Sequence, residues 1–85
     1  MALVDYEHLP DIQCIYFVLG DDSVLYIGRA TSLNERFRTG HHKGILFGQH
    51  EAPCITWIEA SELSRGELSG LEAKYIKANN PLYNK

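Results

Sequence analysis

Four side chains spread along the chain are of types that could act on a phosphate ester: Tyr16, Tyr26, Arg36 and Glu72. The forked donors of an arginine fit phosphate oxygens, and a carboxylate is a hard oxygen ligand for Mg²⁺. A tyrosine hydroxyl could orient or deprotonate water, although its ordinary pKa of about 10 suits that task only if nearby cations lower it. Together these residue types could cleave a phosphodiester bond.

Each of these side chains also has an ordinary structural explanation. Tyrosines in strands usually pack against the core or against a neighbouring strand. Arg36 alone would be a solvated helix residue. Glu72 could border the core, or pair with Lys74, Lys77 or Arg36. No single residue therefore establishes a site.

Glu72 interrupts an apolar stripe on the last predicted helix. Ser64 and Glu67 have the S-x-x-E spacing of a capping box, and Asn80-Pro81 ends a helix that runs to about Asn79. Four apolar residues at helical spacing form the stripe, namely Leu68, Leu71, Tyr75 and Ile76. A carboxylate on that face calls for a functional explanation or a buried partner.

The two tyrosines belong to a predicted β-hairpin. Residues 12–19 and 24–28 are rich in β-branched and aromatic side chains, and Gly20-Asp21-Asp22-Ser23 has turn composition. Side chains alternate along a strand, so both rings can serve one site only if paired residue numbers sum to an even value. This requires an odd-length connection, such as Gly20-Asp21-Asp22, or a bulge.

A short helix and a third strand complete the predicted fold. Ser32 and Glu35 form a second S-x-x-E box, so we expect a helix from Leu33 to about Thr39 that Gly40 ends. Residues 41–53 have loop composition, and 54–58 read as a strand. The sequence predicts one α/β (α+β) domain over residues 1–85, with a three-stranded mixed or antiparallel sheet flanked by two main helices.

Charge and cysteine usage limit the function classes. The net charge is −3, yet residues 29–44 contain four Lys or Arg residues against one acid. One basic patch suits a local phosphate contact better than a long duplex footprint. Cys14 and Cys54 each lie in an apolar run, which predicts two buried reduced thiols in a cytoplasmic protein. Neither a secretory leader nor a membrane-spanning run is expected.

The order and spacing of several motifs resemble the GIY-YIG nuclease family, most closely its excision-repair branch. Arg36 lies eight residues beyond Gly28, and Asn84 lies twelve beyond Glu72. The resemblance covers nearly the whole chain and rests on these elements: Cys14-Ile15-Tyr16, Tyr26-Ile27-Gly28, Arg36, Glu72, Pro81 and Asn84.

The resemblance implies a role for each matching residue. Tyr16 and Tyr26 would be catalytic, with Tyr16 as the first choice for general base or water-orienting group. Arg36 would be catalytic and would bind phosphate, while Arg29 resembles the basic residue after the family's motif glycine and would also bind phosphate. Glu72 would be both catalytic and the metal ligand. The implied cofactor is Mg²⁺ or Mn²⁺, bound singly.

Gly28 and Asn84 resemble supporting residues of the family, and the chain also departs from the pattern. Cys14 stands where the family typically has glycine. A histidine or tyrosine often follows the helix arginine by four residues, whereas this chain has Gly40 there, followed by His41 and His42. We therefore expect His41 or His42 to support the site.

The favoured function is a metal-dependent endonuclease that hydrolyses phosphodiester bonds, with DNA preferred over RNA as substrate. The alternative is a catalytically weak module of the same fold that binds nucleic acid or a protein partner, with the apolar run Ile45-Leu46-Phe47 as a sticky loop. We expect a cytoplasmic protein with no membrane contact. With little sequence readout of its own, it would obtain specificity from self-association or a protein partner.

Overall fold

A three-stranded antiparallel sheet forms the centre of the computed structural model, which describes residues 1–84. The strands are β1 (Cys14–Gly20), β2 (Ser23–Ala30) and β3 (Cys54–Glu59), in the order β2-β1-β3. Both outer strands pair antiparallel with β1. The predicted fold class is confirmed, and the antiparallel form of the sheet is the one observed.

Helices cover both faces of this sheet. They are α1 (Leu33–Arg38), α2 (Gly44–Phe47) and α3 (Arg65–Asn79), and a 3₁₀ helix, Leu3–His8, precedes the sheet. Within residues 1–84 no helix has the length and apolar character needed to cross a membrane.

The central strand β1 is buried on both sides, which explains its nearly continuous apolar sequence. Tyr16 and Val18 pack in one core cluster with Phe37 of α1. Ile15 points to the other face and packs with Leu68 of α3. Side chains of β1 are therefore held by a packed layer on either side of the sheet.

Capping fixes where the two longer helices begin. At α3 the box is complete, since Ser64 Oγ accepts from Glu67 N–H at 3.2 Å and Glu67 Oε1 accepts from Ser64 N–H at 2.9 Å. At α1, Ser32 Oγ accepts from Glu35 N–H at 3.2 Å. The Glu35 carboxylate instead contacts Arg38 at 3.4 Å, so the predicted reciprocal box is only half formed there.

Two expectations about residues 41–58 are wrong. The predicted loop contains helix α2, in which Phe47 is buried while Ile45 is 86% exposed. The apolar run is thus split between the core, which contains Phe47, and the surface, where Ile45 lies. Cys54 is exposed, although Cys14 is buried as expected. Cys54 begins edge strand β3 and shares its outward face with Thr56 and Ile58, all exposed.

Candidate active site

The two tyrosines lie on the same face of the hairpin, as predicted. Tyr16 pairs with Gly28 and Tyr26 pairs with Val18, so both pairs sum to an even number. The turn itself has two residues, Asp21 and Asp22, both with positive φ, and a bulge between Val18 and Leu19 changes the register. The ring centroids of the tyrosines are 6.1 Å apart.

Gly28 makes room for the Tyr16 phenol. A Cβ atom at position 28 would lie 2.5 Å from the Tyr16 hydroxyl oxygen and 2.5 Å from its ring carbon Cζ. The ring is fully buried and packs edge-on against Phe37, with centroids 5.3 Å apart. The absence of a side chain at Gly28 thus allows the Tyr16 ring to cross the β2 backbone.

His41 contacts the Tyr16 hydroxyl directly, with 2.6 Å between Nε2 and Oη. The backbone N–H of Lys43 donates to His41 Nδ1 at 3.0 Å. Burial and the Arg36 charge lower the pKa of His41 to about 3, so the ring is neutral at pH 7. A neutral imidazole that accepts at Nδ1 carries its proton on Nε2. His41 therefore donates to Tyr16 and cannot act as its base.

Arg36 lies beside both phenols and beside the second histidine. Its Nη2 is 3.1 Å from His42 Nδ1. Its Nε is buried and has no hydrogen-bond partner among residues 1–84. Desolvation and, after it, the charge of Arg36 lower the pKa of His42. A guanidinium with an unused buried donor beside two phenols is suited to receive an anion.

Burial raises the pKa of both tyrosines. For Tyr16 it outweighs the opposing effect of Arg36, and for Tyr26 it does so to a smaller degree. The condition under which Tyr16 would suit the task, a pKa lowered by nearby cations, is therefore not met by the arginines, because the phenol is fully buried and burial outweighs their effect. Tyr26 is only partly buried, so its hydroxyl is the better placed of the two to contact water.

Glu72 is paired with Arg29. Arg29 Nη1 lies 2.5 Å from Glu72 Oε1, and the two side chains are 49% and 17% exposed. The structural explanation offered Lys74, Lys77 or Arg36 as the partner of Glu72, and the partner observed is none of these. After burial, the negative charge of Glu72 adds to the raised pKa of both phenols. Arg29, which holds this carboxylate, lines one cleft together with Arg36.

The C-terminal segment closes the free edge of β2. The Asn84 side chain forms two hydrogen bonds with the backbone of one residue of that strand. Ile27 N–H donates to Asn84 Oδ1 at 2.8 Å, and Asn84 Nδ2 donates to Ile27 O at 2.7 Å. Tyr83 N–H donates to Leu25 O at 2.8 Å. The Tyr83 hydroxyl is 2.6 Å from His50 Nε2, while His50 Nδ1 is 2.5 Å from Asp21 Oδ2. Asn84 thus supports the strand that carries Tyr26 and Arg29.

The donor set fits a cation held by a single protein carboxylate. Among residues 1–84 no group of three or more His, Cys, Asp or Glu could hold a metal ion. Glu72 is largely buried and has Arg29 as an ion-pair partner. One carboxylate leaves most coordination positions to water and phosphate, which is how Mg²⁺ commonly binds. Arg29 donates to Oε1, and no hydrogen bond to Oε2 is found among residues 1–84, so the second oxygen is available to a cation.

A cleft of about 520 Å³ adjoins the site. Its walls include Arg29 and Arg36 and also Arg65, which the sequence analysis did not select. The only sequence signal for Arg65 is its place directly after the helix cap Ser64, and that place says nothing about the cleft it faces. The backbone N–H of Lys43, which sets the His41 tautomer, was also missed, because its position in the sequence does not indicate what it contacts.

The solved structures most informative for this chain are those of one nuclease domain. The chain resembles the GIY-YIG N-terminal endonuclease domain of UvrC from Thermotoga maritima bound to its catalytic divalent cation, magnesium, with a TM-score of 0.77 and 25% identity over 98% of this chain and 94% of that one. A tyrosine-to-phenylalanine point mutant of that domain, also bound to its catalytic divalent cation, matches with the same TM-score and identity.

An asparagine-to-alanine point mutant of the same domain matches at 24% identity. No protein-family model and no curated protein sequence matches the chain. The structural likeness nevertheless covers nearly the whole chain, and it confirms the resemblance drawn from the motifs. The chain has the fold of the GIY-YIG endonuclease domain.

Proposed function

We propose that this chain, which shares the fold of the GIY-YIG endonuclease domain, is an endonuclease that hydrolyses phosphodiester bonds with the help of one Mg²⁺ or Mn²⁺ ion. The observations that support the proposal are the neighbouring rings of Tyr16 and Tyr26 and the cleft that Arg36 shares with Arg29, the ion-pair partner of Glu72. The likeness to a domain bound to its catalytic divalent cation supports it.

Arg36 would hold the phosphate that is cleaved. Its guanidinium is already oriented by His42, and its buried Nε has no partner in the described part of the chain. Negative charge on the non-bridging oxygens grows as water attacks, so fixed donors stabilise the transition state more than the bound substrate. Arg29 would add a second contact once it leaves Glu72.

Tyr26 is the residue we assign to the attacking water. Tyr26 is partly exposed, whereas Tyr16 is fully buried and its oxygen accepts a hydrogen bond from His41. We assign Tyr16 to fixing the positions of Tyr26 and Arg36 through packing and hydrogen bonding. This exchanges the roles expected from the sequence, where Tyr16 was the first choice for the water-orienting group.

Glu72 would be the protein ligand of the cation. A divalent cation bound there supplies a Lewis acid for the phosphate and the leaving oxygen. Gly28 and Asn84 act indirectly, because the first admits the Tyr16 ring and the second fixes the β2 backbone. His41 and His42 act through Tyr16 and Arg36 respectively.

DNA is the substrate we favour, because the similar domain is an endonuclease of the UvrC type. We further infer a single catalytic domain in the cytoplasm, with both cysteines reduced, and a protein partner or second copy that supplies specificity. The net charge of −3 argues against a broad nucleic-acid footprint formed by one copy alone.

A second candidate function is a binding module with little or no cleavage activity. The observation that favours it is the Arg29–Glu72 ion pair, which occupies the only carboxylate we assign to the cation. Such a module would bind nucleic acid through the arginines and leave it intact.

Nicking of supercoiled plasmid by the purified protein separates the two functions. We expect open-circular product with Mg²⁺ or Mn²⁺ and none with excess chelator. Duplex, flapped, branched and single-stranded DNA and RNA oligonucleotides then define the substrate class. Binding to any of these without cleavage under either cation would favour the binding module.

A further inference from the structure

The cleft beside the active site is lined by cationic side chains from three elements. Arg29 comes from the end of β2, Arg36 from α1 and Arg65 from the first turn of α3. Its volume of about 520 Å³ lies within the range of sites that hold ligands of nucleotide size. The cleft therefore extends the site beyond the phosphate that Arg36 would hold.

The charge in this cleft favours an anion. Glu35 is its one acidic wall residue, and that carboxylate contacts Arg38. Arg29 is paired with Glu72. Arg65 is exposed and takes part in none of the ion pairs found among residues 1–84. Arg65 thus contributes a positive charge that the described part of the protein does not neutralise.

The remaining wall residues point to a backbone contact and not to base recognition. No aromatic side chain lines the cleft, so it offers no surface on which a base could stack. Thr31, which is exposed, adds a neutral hydroxyl of the kind that often contacts phosphate and sugar. Cations and hydroxyls without aromatic groups are typical of a surface that follows the nucleic-acid backbone.

We propose that Arg65 binds a second phosphate of the nucleic-acid strand. This phosphate is the neighbour, along that strand, of the phosphate held at Arg36. The inference rests on the proposed nuclease function and extends it to a binding subsite. Arg65 forms no ion pair with Glu72 among residues 1–84 and is not part of the tyrosine pair, so we assign it to positioning the strand and not to bond cleavage. Its loss should raise KM and leave kcat nearly unchanged.

The test compares Arg65→Gln with Lys74→Gln and the unchanged protein. Lys74 is exposed on the same helix, nine residues on, which places it on the opposite side from Arg65. Binding to a fluorescent single-stranded or duplex oligonucleotide is measured in EDTA over a range of salt concentrations. Because EDTA prevents cleavage, this readout does not depend on turnover.

We expect Arg65→Gln to weaken binding about three- to tenfold at low salt and to reduce the slope of log affinity against log salt by about one. Lys74→Gln should match the unchanged protein. Equal weakening by both substitutions would mean a diffuse charge effect and would overturn the inference, as would unaltered binding by Arg65→Gln.

If the proposed nuclease function is wrong, the result differs from the one expected if only the Arg65 subsite is wrong. If the unchanged protein binds no oligonucleotide and nicks no plasmid, the proposed function fails and the inference fails with it. If the unchanged protein binds and cleaves while Arg65→Gln keeps full affinity and salt slope, only the subsite is wrong. Melting temperatures of both variants confirm that each comparison is made between folded proteins.

Discussion

Arg29 and Glu72 form an ion pair, with 2.5 Å between Nη1 and Oε1, that joins the end of β2 to the middle of α3. In this pair the carboxylate proposed as the metal ligand is already held by an arginine proposed as a phosphate ligand. Cation binding at Glu72 would free Arg29 to contact the substrate. Metal and phosphate binding are therefore expected to assist each other.

Replacing Arg29 should strengthen cation binding while it weakens catalysis. Arg29→Gln removes the competitor for Glu72, and a half-exposed pair of this kind contributes up to about 1 kcal/mol, or about fivefold in affinity. Titration calorimetry with Mn²⁺ in the absence of nucleic acid measures this directly. Arg38→Gln, which alters a pair remote from Glu72, is the matched control. Weaker Mn²⁺ binding by Arg29→Gln would contradict the account.

Gly28→Ala should inactivate the protein by displacing Tyr16. The added methyl would lie 2.5 Å from the phenol oxygen, so the ring must shift and its hydrogen bond with His41 must lengthen or break. We expect at least a tenfold loss of nicking at saturating substrate, as follows from a misplacement of about 1 Å in a catalytic group.

Gly70→Ala is the control for that substitution. A Cβ at position 70, inside α3, would meet nothing within 4 Å. Alanine there should stabilise the protein by about 0.5–1 kcal/mol and leave activity unchanged. Full activity of Gly28→Ala would show that the position of the Tyr16 hydroxyl does not matter for turnover.

The buried, neutral state of His41 should make the protein less stable in acid. Its pKa falls from 6.5 to about 3 on folding, because of burial and the charges of Arg36, His42 and Lys43. Between those values the unfolded chain binds a proton that the folded protein does not, so stability is full above pH 6.5 and declines as the pH falls toward 3.

The slope from this one group stays below about 1.4 kcal/mol per pH unit, since the folded and unfolded states differ by less than one bound proton at His41. Denaturant unfolding from pH 7 to pH 4 measures it. His41→Gln removes the titrating group, and the difference between the two proteins isolates the contribution of His41 from those of the other three histidines. Parallel stability profiles would show that His41 keeps an ordinary pKa in the folded protein.

The sequence predicted the elements that have strong local signals. The complete capping box at Ser64 and Glu67 located the start of α3, and the β-branched and aromatic runs located the hairpin. Helix α2 was not predicted, because a segment of four residues that begins with glycine has almost no helical propensity of its own. Tertiary packing of Phe47 against the core stabilises it instead.

The resemblance drawn from the motifs grouped residues without indicating how they interact. It assigned Tyr16, Tyr26, Arg36 and Glu72 to one site, but burial and pairing arise from tertiary packing. Spacing could not indicate that Tyr16 would be the more buried phenol, nor that Arg29 would hold Glu72. The exposure of Cys54 was missed likewise, because a short apolar run does not show which of its residues face outward.

Glu72→Gln provides the most direct test of the account, with plasmid nicking and melting temperature measured on the same sample. The amide keeps the shape of the side chain but loses the charge that would hold the cation, so nicking in Mg²⁺ should fall about a hundredfold or more. Arg29 is half exposed, and losing its partner should change the melting temperature by only a few degrees. Glu62→Gln, at an exposed position, should behave as the unchanged protein. A folded Glu72→Gln protein that nicks plasmid at the original rate would contradict the assignment of Glu72 as the metal ligand.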